Sequence, residues 1–396
     1  MKRINWAGAV ALALLTLGIG VNPGAVHAAT PRPQSEPLPT VTEEATPLPI
    51  TATPWNANSR YVGRFDQGKD YVASPPRCAW SGSSVTVRFS GTGLNVILDE
   101  SSDSDAYEIV LDDAPAGVLF PRSGSHRYAV YPLPPTGALP GPHTITLVKR
   151  TEAFVGNTQF DGFEVSSGGR FLSAPPSAKR RIEVIGDSIS CGYGNEAPNE
   201  KEHFDAKTEN AYLTYGAIAA RRLNADFVCI AWSGRLMWPT NTMDEVYGRT
   251  LPTDPSSRWE FVRWTPDVVV INLGTNDFYA KTLPDDAGWI GGYRAFLARV
   301  RKNYPRALIY CATSPMLWGD KDTLERKDLN RIVDEEHQKG HANVRFLDFK
   351  TQNPADGLGA DWHPNVKTHE IMADTLTTAL ESDLKWKSVT TSTKLH

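Results

Sequence analysis

The sequence has few cysteines for its length and almost no excess of charge of either sign. Four cysteines stand among 396 residues, and 41 basic side chains are balanced by 45 acidic ones, for a net charge of −4. So small a charge gives no electrostatic reason to expect nucleic acid or an anionic membrane as a partner. A chain this long does not need disulfide staples, so we expect buried free thiols, with a bridge at Cys78 as the alternative.

The sequence also lacks an apolar run of the roughly 20 residues that a membrane-spanning helix needs. The apolar run at residues 7–20 follows a short basic start and ends before Asn22-Pro23-Gly24. Small residues then stand at Val26 and Ala28, a pattern typical of a secretory signal peptide. We therefore expect residues 1–28 to be removed, no membrane anchor to remain, and the protein to be secreted to an extracellular or periplasmic space.

Motifs for common cofactors are missing as well. The sequence contains no phosphate-binding loop, no paired zinc motif and no dinucleotide fingerprint. His369-Glu370 lacks the second histidine of a zinc protease, and Gly340 separates His337 from His341 on any helix. We expect neither a metal ion nor a cofactor.

After the predicted signal peptide, the composition of the chain changes twice. Residues 29–56 are rich in Pro, Thr and Glu, and they predict an extended linker. Residues 57–174 instead contain short runs in which apolar and polar side chains alternate, as in Val85 to Phe89, separated by Gly, Pro and Asp. This period of two residues predicts a β-sandwich of the jelly-roll type.

Residues 178–387 alternate apolar strands with helical spacings, and residues 388–396 form a tail. Between the strands, apolar side chains recur at helical intervals, as at Tyr293, Leu297 and Val300. Strands joined by crossover helices predict an α/β domain, with a parallel five-stranded sheet between two layers of helices. The predicted strands are Ile182–Gly186, Phe227–Ala231, Val268–Leu273, Ala307–Thr313 and Val344–Asp348.

Four polar or small residues follow predicted strands at the edge where the carboxyl ends of a parallel sheet meet. Ser188 follows the first strand and Gly234 the second. Asn276 follows the third, and His363 lies beyond the fifth. Alone, Ser188 suits a helix N-cap as well as a nucleophile, and each of the others suits a turn or loop. Together they supply a nucleophile, a base and donors for an oxyanion, which are the parts of an acyl-transfer site.

The blocks around these residues resemble those of the GDSL/SGNH hydrolases, a superfamily named for a Ser, Gly, Asn and His. The resemblance implies that Ser188 attacks an ester, that His363 acts as its base, and that no cofactor is needed. It also implies an oxyanion hole formed by the Ser188 amide, Gly234 and Asn276. The blocks, in the superfamily's order, are GDSISCG, SGR, GTND and DWHPN.

A β-sandwich ahead of such a domain resembles the family 2 carbohydrate esterases, secreted enzymes that remove acetyl groups from plant polysaccharides. This resemblance implies an acetyl xylan esterase type of activity, with an acetylated polysaccharide or oligosaccharide as substrate, and we expect a monomer. The stretches that carry it are RYVGRFD at 60–66, NTQFDGFEV at 157–165, TENAYLTYGAIAARRL at 208–223 and DWHP at 361–364.

The acid that orients the base is the open part of the predicted site. The superfamily usually places an Asp three residues before the histidine, where this chain has Ala360. Asp361 stands two residues before His363, a spacing that family 2 esterases tend to show. We predict Asp361 as the third catalytic residue, and a backbone carbonyl, which steers the histidine in some family members, is the alternative.

Aromatic side chains beside the predicted site suit a sugar ligand, because an aromatic face stacks on a pyranose ring. Trp362 adjoins the base, Trp232 precedes Gly234, and Arg235 is placed to meet a sugar hydroxyl, so we predict all three as substrate-binding residues. Packing and surface roles are the alternatives for each. For the whole protein, the alternatives are an esterase for lipid or thioester substrates and a glycan-binding protein.

Overall fold

The computed structural model describes residues 37–53, 58–67, 74–133, 138–280 and 283–389. The predicted signal peptide, the outer parts of the predicted linker and most of the predicted tail lie outside these residues, so those assignments stay predictions. Among the described residues, no helix is both long and apolar enough to span a membrane.

The first half of the described chain folds into two sheets that share one apolar core. Seven strands form one sheet and five form the other, and nearly all neighbouring strands are antiparallel. Alternate side chains, such as Val85, Val87 and Phe89, point into the core. The strands are β1 Thr40–Val41, β2 Ile50–Ala52, β3 Ser59–Val62, β4 Arg77–Cys78, β5 Ser84–Ser90, β6 Leu94–Glu100, β7 Tyr107–Leu111, β8 Ala114–Leu119, β9 Gly124–Tyr131, β10 Pro142–Lys149, β11 Thr158–Val165 and β12 Arg170–Leu172.

Part of the predicted linker differs from the expectation, because it is built into this sandwich. Strand β1 pairs with β8, and β2 pairs with β11. Val41 and Ile50 pack against the sandwich core, and the backbone amide of Leu48 donates a hydrogen bond to Glu164 at 2.9 Å. A few β-branched residues among the prolines and threonines are enough to add these two short strands at the ends of existing sheets.

The second half of the described chain is an α/β domain with five parallel strands in the order β14-β13-β15-β16-β17. This arrangement confirms the predicted fold class. The strands are β13 Arg180–Gly186, β14 Ala225–Ala231, β15 Val268–Asn272, β16 Leu308–Ala312 and β17 Val344–Leu347. The helices are α1 Ser188–Cys191, α2 Tyr215–Arg222, α3 Asp244–Tyr247, α4 Thr275–Tyr279, α5 Asp286–Asn303, α6 Asp320–Gln338 and α7 Val366–Leu384.

Helices cover both faces of this sheet, so its strands are apolar throughout. Val268 and Val270 face the core that contains α2 and α7, whereas Val269 and Ile271 face the core that contains α5 and α6. The strand order reverses at β13, because the chain moves first to β14 on one side and then to β15 on the other. Ligands of open parallel sheets bind at the carboxyl ends of the strands beside such a reversal.

All four cysteines lie within the described residues, and all four are buried and free. The expected free thiols are therefore confirmed, and the alternative bridge at Cys78 does not form. Cys191 packs in α1 behind Ser188. Burial raises the pKa of the Cys191 thiol well above its usual range, so this cysteine is no rival to the serine as a nucleophile.

Candidate active site

Ser188 and His363 meet at the carboxyl edge of the sheet, as the sequence predicts. Ser188 is the first residue of α1, directly after β13, and the loop beyond β17 brings His363 to it. The distance between Ser188 Oγ and His363 Nε2 is 2.8 Å. A serine and a histidine at hydrogen-bond distance form the nucleophile–base pair of covalent ester hydrolysis.

A backbone carbonyl orients the histidine. His363 Nδ1 lies 3.0 Å from the Ala360 carbonyl oxygen, which can only accept a hydrogen bond. Nδ1 therefore carries the ring proton and donates it, and Nε2 is left free to accept the proton of Ser188. Burial lowers the pKa of His363 to about 4, although the Ala360 carbonyl and the charge of Asp361 both act to raise it. The histidine is thus a neutral base at neutral pH.

The prediction that Asp361 orients His363 is wrong, because the Asp361 carboxylate makes its hydrogen bonds to other residues. The Asp361 carboxylate accepts hydrogen bonds from the Tyr193 hydroxyl and from His203 Nδ1, both at 2.8 Å. Asp361 has a φ of 48°, a left-handed conformation that turns its side chain away while the preceding carbonyl of Ala360 faces the histidine. Partial burial acts to raise the pKa of Asp361, but these two hydrogen bonds outweigh it and lower the pKa, so the group is charged.

Tyr193 and His203 are two site residues that the sequence reasoning missed. The Tyr193 ring stacks on the His363 ring, with centroids 4.2 Å apart and planes 27° from parallel. Besides the effect of its charge on His363, Asp361 holds the hydroxyl of the ring that stacks on the base. Tyr193 directly follows the GDSISCG block, and its position there was the only signal in the sequence that could have indicated it.

The nucleophile stands at the start of a very short helix. Asp187 caps α1 by accepting a hydrogen bond from the Ile189 amide at 3.1 Å, and Gly192 ends it in a left-handed conformation with a φ of 88°. Asp187 is fully buried, and burial raises its pKa to about 7. The cap fixes Ser188 in the first turn, and the other predicted site residues approach it from neighbouring strands.

Gly234 and Asn276 lie beside this turn, and their role as oxyanion donors stays a prediction. The backbone amide of Trp232 donates to the Gly186 carbonyl at 3.3 Å, which joins the Gly234 turn to the end of β13. Gly234 has a φ of 76°, and a Cβ built there would point into open space. Asn276 Nδ2 donates to the Arg235 carbonyl at 3.0 Å and lies 3.3 Å from Asp187 Oδ2. The amide of Asn276 is thus fixed between the two turns.

Comparisons with known proteins agree with this geometry. Residues 184–371 match the GDSL-like lipase/acylhydrolase family, and residues 61–175 match the N-terminal domain of carbohydrate esterase family 2. The chain is similar to the solved structure of a family two carbohydrate esterase from Clostridium thermocellum in complex with cellohexaose. The identity is 38%, the TM-score is 0.78, and the match covers 83% of this chain and 99% of that one.

The chain belongs to the family 2 carbohydrate esterases.

This esterase matches two further relatives, and it spans a different share of the length of each. The cellulase/esterase CelE of Acetivibrio thermocellus is 39% identical over 84% of this chain, but the chain spans only 40% of that relative. An acetylxylan esterase/glucomannan deacetylase of Cellvibrio japonicus is 28% identical over 78% of this chain and 84% of its own length. The Ser188–His363 pair of this family 2 member is that of a serine carboxylic-ester hydrolase.

Trp362 is the one predicted substrate residue that the esterase presents to solvent. It is 54% exposed, next to His363, and it lines a cavity of about 270 Å³. Trp318 and Tyr279, which are 50% and 61% exposed, line the same cavity. Three exposed aromatic rings around one cavity, one of them next to His363 in the sequence, provide faces on which sugar rings can stack.

The structure does not support the other two predicted substrate residues of the esterase. The Arg235 guanidinium lies over the Trp232 ring, 4.6 Å from its centroid, and Arg235 is also 3.6 Å from Glu245. Arg235 is only 9% exposed. The guanidinium covers one face of the Trp232 ring, and Arg235 Nη1 also contacts the Thr242 carbonyl at 3.4 Å, so both side chains have packing partners within the protein.

Asp277 holds the loop beyond Gly234. Its carboxylate accepts hydrogen bonds from the backbone amides of Met237 and Trp238, at 3.0 and 2.9 Å. Burial raises its pKa to about 6. Asp277 thus shapes the rim of the site without contacting the catalytic pair.

A larger concavity of about 740 Å³ lies at the opposite edge of the sheet from the catalytic pair. It is lined by residues at the starts of the strands, including Lys179, Arg306 and Arg345. The smaller cavity is the better candidate for the substrate despite its size, because Trp362, which lines it, directly precedes His363 in the sequence.

Proposed function

We propose that this family 2 esterase is a secreted enzyme that removes O-acetyl groups from hemicellulose or its oligosaccharides. The single observation that carries the proposal is the Ser188–His363 pair, 2.8 Å apart, with the exposed ring of Trp362 beside it. A relative with the names acetylxylan esterase and glucomannan deacetylase, at 28% identity, supports the substrate class.

The geometry accounts for the first half of the reaction. Ser188 Oγ bonds to the acetyl carbonyl carbon while its proton passes to His363 Nε2, and the carbonyl electrons move to the oxygen. The Ser188 and Gly234 amides hold this oxyanion, and Asn276 Nδ2 joins them when one of its two N–H groups turns from Asp187 Oδ2, the longer of its two contacts. The intermediate then expels the sugar oxygen, which takes the proton from Nε2 and leaves an acetyl ester on the serine.

In the second half of the reaction, water replaces the sugar. His363 Nε2 takes a proton from the water, whose oxygen bonds to the acetyl carbon. Ser188 Oγ leaves and regains the proton, and acetate is released. Throughout, the Nδ1–H of His363 keeps its hydrogen bond to the Ala360 carbonyl, so the ring does not have to turn between the two halves.

Acetate release tests the proposal directly. Acetylated xylan, glucomannan and manno-oligosaccharides are incubated with the enzyme, and position-resolved NMR identifies the hydroxyl groups that lose acetyl. We expect acetate from at least one of these glycans, and none with Ser188→Ala, whose circular dichroism should match the wild type. Near wild-type activity in Ser188→Ala would refute the role of the serine.

The acyl group of the substrate separates an acetyl esterase from a lipase or thioesterase. A long acyl chain needs an extended apolar groove, whereas the cavity that Trp362 lines has a volume of only about 270 Å³. We therefore expect kcat/KM to be higher for p-nitrophenyl acetate than for p-nitrophenyl octanoate. The opposite order would favour an acyl lipid as substrate.

The exposed rings of Trp362, Trp318 and Tyr279 also favour a second function, the binding of glycan chains without turnover. A related esterase has been solved with cellohexaose. Affinity electrophoresis with soluble β-glucan tests this in Ser188→Ala, which cannot turn over substrate. Retardation that is lost on adding Trp362→Ala would support binding at this cavity, and unchanged mobility would refute it.

Export and the monomeric state are also proposed, on the basis of the first 28 residues and the domain organisation. N-terminal sequencing of protein recovered from outside the cell should show a start after Ala28. Light scattering of the mature chain should give the mass of one copy.

A further inference from the structure

Glu152 extends from the sandwich into the catalytic half of the molecule. It stands in the turn between β10 and β11 and is fully buried. Its Oε2 accepts a hydrogen bond from the backbone amide of Ser233 at 2.7 Å, and its Oε1 accepts one from the Ser233 hydroxyl. One carboxylate therefore holds two donors of the residue that directly precedes Gly234.

These contacts fix one side of the Gly234 turn, and Asn276 fixes the other. The Arg235 carbonyl accepts a hydrogen bond from Asn276 Nδ2 at 3.0 Å. Gly234 itself has a φ of 76° and no side chain to anchor it. The Gly234 carbonyl accepts a hydrogen bond from Asn241 Nδ2 at 3.2 Å, so the direction of the Gly234 amide depends on this bond together with the contacts of Ser233 and Arg235.

A second buried acid keeps Glu152 in place. The backbone amide of Glu152 donates to Glu209 Oε2 at 2.9 Å, and Cys191 Sγ lies 3.7 Å from Glu152 Oε2. Burial raises the pKa of both acids, and that of Glu209 rises further because it faces the charge of Glu152. The hydrogen bonds from Ser233 act to lower the pKa of Glu152, so of the two acids Glu209 is the one that holds a proton more readily.

A cation is the other way to neutralise such a pair. Glu152, Cys191 and Glu209 place potential ligand atoms within 4.8 Å of one another. However, both oxygens of Glu152 already accept hydrogen bonds from Ser233, and a shared proton satisfies the pair without an ion. The contacts therefore favour a positioning role over a metal site.

We propose that Glu152 is a positioning residue for the oxyanion hole, and that the sandwich is required for catalysis because it carries this residue. The inference rests on the proposed role of Gly234 as an oxyanion donor. Donors stabilise the oxyanion only when they lie about 2.7–3.1 Å from its position, so a small tilt of the turn weakens the contact in the transition state.

A double-mutant cycle on the full-length protein tests the proposal. Glu152→Gln keeps the size of the side chain but turns one acceptor into a donor, and Ser233→Ala removes one of the two hydrogen bonds. With p-nitrophenyl acetate we expect kcat to fall about 10- to 100-fold in Glu152→Gln, somewhat less than the loss of a whole oxyanion donor, with KM almost unchanged. Adding Ser233→Ala to Glu152→Gln should lower kcat little further, because both changes disrupt the same contacts between Glu152 and Ser233.

The control is a contact between the same two halves that lies away from the site. Arg60 Nη1 in β3 donates to Asp226 Oδ1 in β14 at 2.7 Å. Arg60→Ala should lower the melting temperature while kcat and KM stay at their wild-type values. Titration of active sites with a serine-directed phosphonate corrects each rate for the folded fraction.

Three outcomes would overturn the proposal. The first is a Glu152→Gln enzyme that melts earlier but keeps its kcat per titrated site. The second is additive losses for Glu152→Gln and Ser233→Ala. The third is wild-type activity that disappears on chelation and returns with a divalent cation. Because the substrate is an aryl acetate, failure of the enzyme on acetylated polysaccharides would refute the proposed function and leave this test intact.

Discussion

At the residue scale, the catalytic group is a dyad of Ser188 and His363 and not a Ser-His-Asp triad. The Ala360 carbonyl, and not a carboxylate, accepts the Nδ1 proton of His363. In serine hydrolases with a buried Asp on that nitrogen, replacing the Asp by Asn lowers kcat about 10⁴-fold, because the wrong tautomer forms. A carbonyl can only accept, so in this protein the correct tautomer does not depend on Asp361.

Asp361→Asn should therefore keep most of the activity. We expect kcat on p-nitrophenyl acetate to fall less than about 10-fold, far short of the loss in an Asp-dependent triad. The remaining loss would come from a weaker hold on Tyr193, which stacks on the base. A fall of about 1,000-fold or more, in a variant that melts like the wild type, would restore Asp361 to the role predicted from sequence.

The pKa of His363 sets the lower limit of the active pH range. The base works in its unprotonated form, so activity is present above its pKa and is lost as the pH falls through it. Burial lowers this pKa from 6.5 to about 4. The profile of kcat/KM, which reports the free enzyme, should therefore be flat from neutral pH to about pH 5 and fall at lower pH. Half-maximal activity near pH 6.5, in protein shown to be folded by circular dichroism, would contradict the lowered value.

At the scale of elements, the turn after α1 and the loop of His363 are packed without spare room. The Ala360 amide donates to the Gly194 carbonyl at 3.0 Å. A Cβ added to Gly194 would lie 2.3 Å from the Cβ of Ala360. Since Ala360 carries the carbonyl that orients His363, the position of the base depends on this glycine.

Gly194→Ala should displace Ala360 and lower kcat about 10-fold or more, as small shifts of catalytic groups do. Gly340→Ala is the matched control, because Gly340, just beyond the end of α6, also has a positive φ, of 88°, but open space where its Cβ would be. Both changes should cost about 1 kcal/mol of unfolding free energy through backbone strain, measured in urea. Equal kcat values for the two variants would show that the contact with Ala360 is unimportant.

At the scale of the whole molecule, the sandwich and the α/β domain share buried polar contacts. Arg64, next to β3, is fully buried and contacts the α/β domain. Its Nη2 lies 3.5 Å from Glu183 Oε2, and its Nη1 donates to the Tyr247 carbonyl. Its guanidinium also lies 5.0 Å from the centroid of the Tyr247 ring. The charge of Glu183 is therefore compensated by a residue of the other half.

Arg64→Leu should destabilise the whole protein, because it leaves Glu183 buried without its partner. Removing one member of a buried ion pair typically costs about 3–5 kcal/mol, which should appear as a lower urea midpoint. Arg122→Leu, which breaks an exposed ion pair with Glu44, should change the unfolding free energy by about 1 kcal/mol or less. Equal effects of the two substitutions would show that the shared contact contributes little.

Local patterns were enough to predict much of this molecule. The period of two residues in the first half and the alternation of strands and helices in the second depend on neighbouring residues, and they predicted the sandwich and the five-stranded sheet. The rule that ligands bind at the carboxyl edge then placed Ser188, Gly234, Asn276 and His363 together at one edge of that sheet. These predictions succeeded because backbone periodicity and sheet chirality follow from local physics.

Tertiary structure decided which other groups contact and orient these residues. The partner of His363 Nδ1 depends on a left-handed turn at Asp361, and the stack of Tyr193 on the base depends on how two distant loops pack. The role of Glu152 depends on contact between the two halves of the chain, 81 residues apart in sequence. Sequence by itself determined the fold and the chemistry of the site, because both follow from local pattern and residue type. Only the tertiary structure determined which groups orient the base and the oxyanion donors, because hydrogen-bond partners across loops follow no periodic pattern.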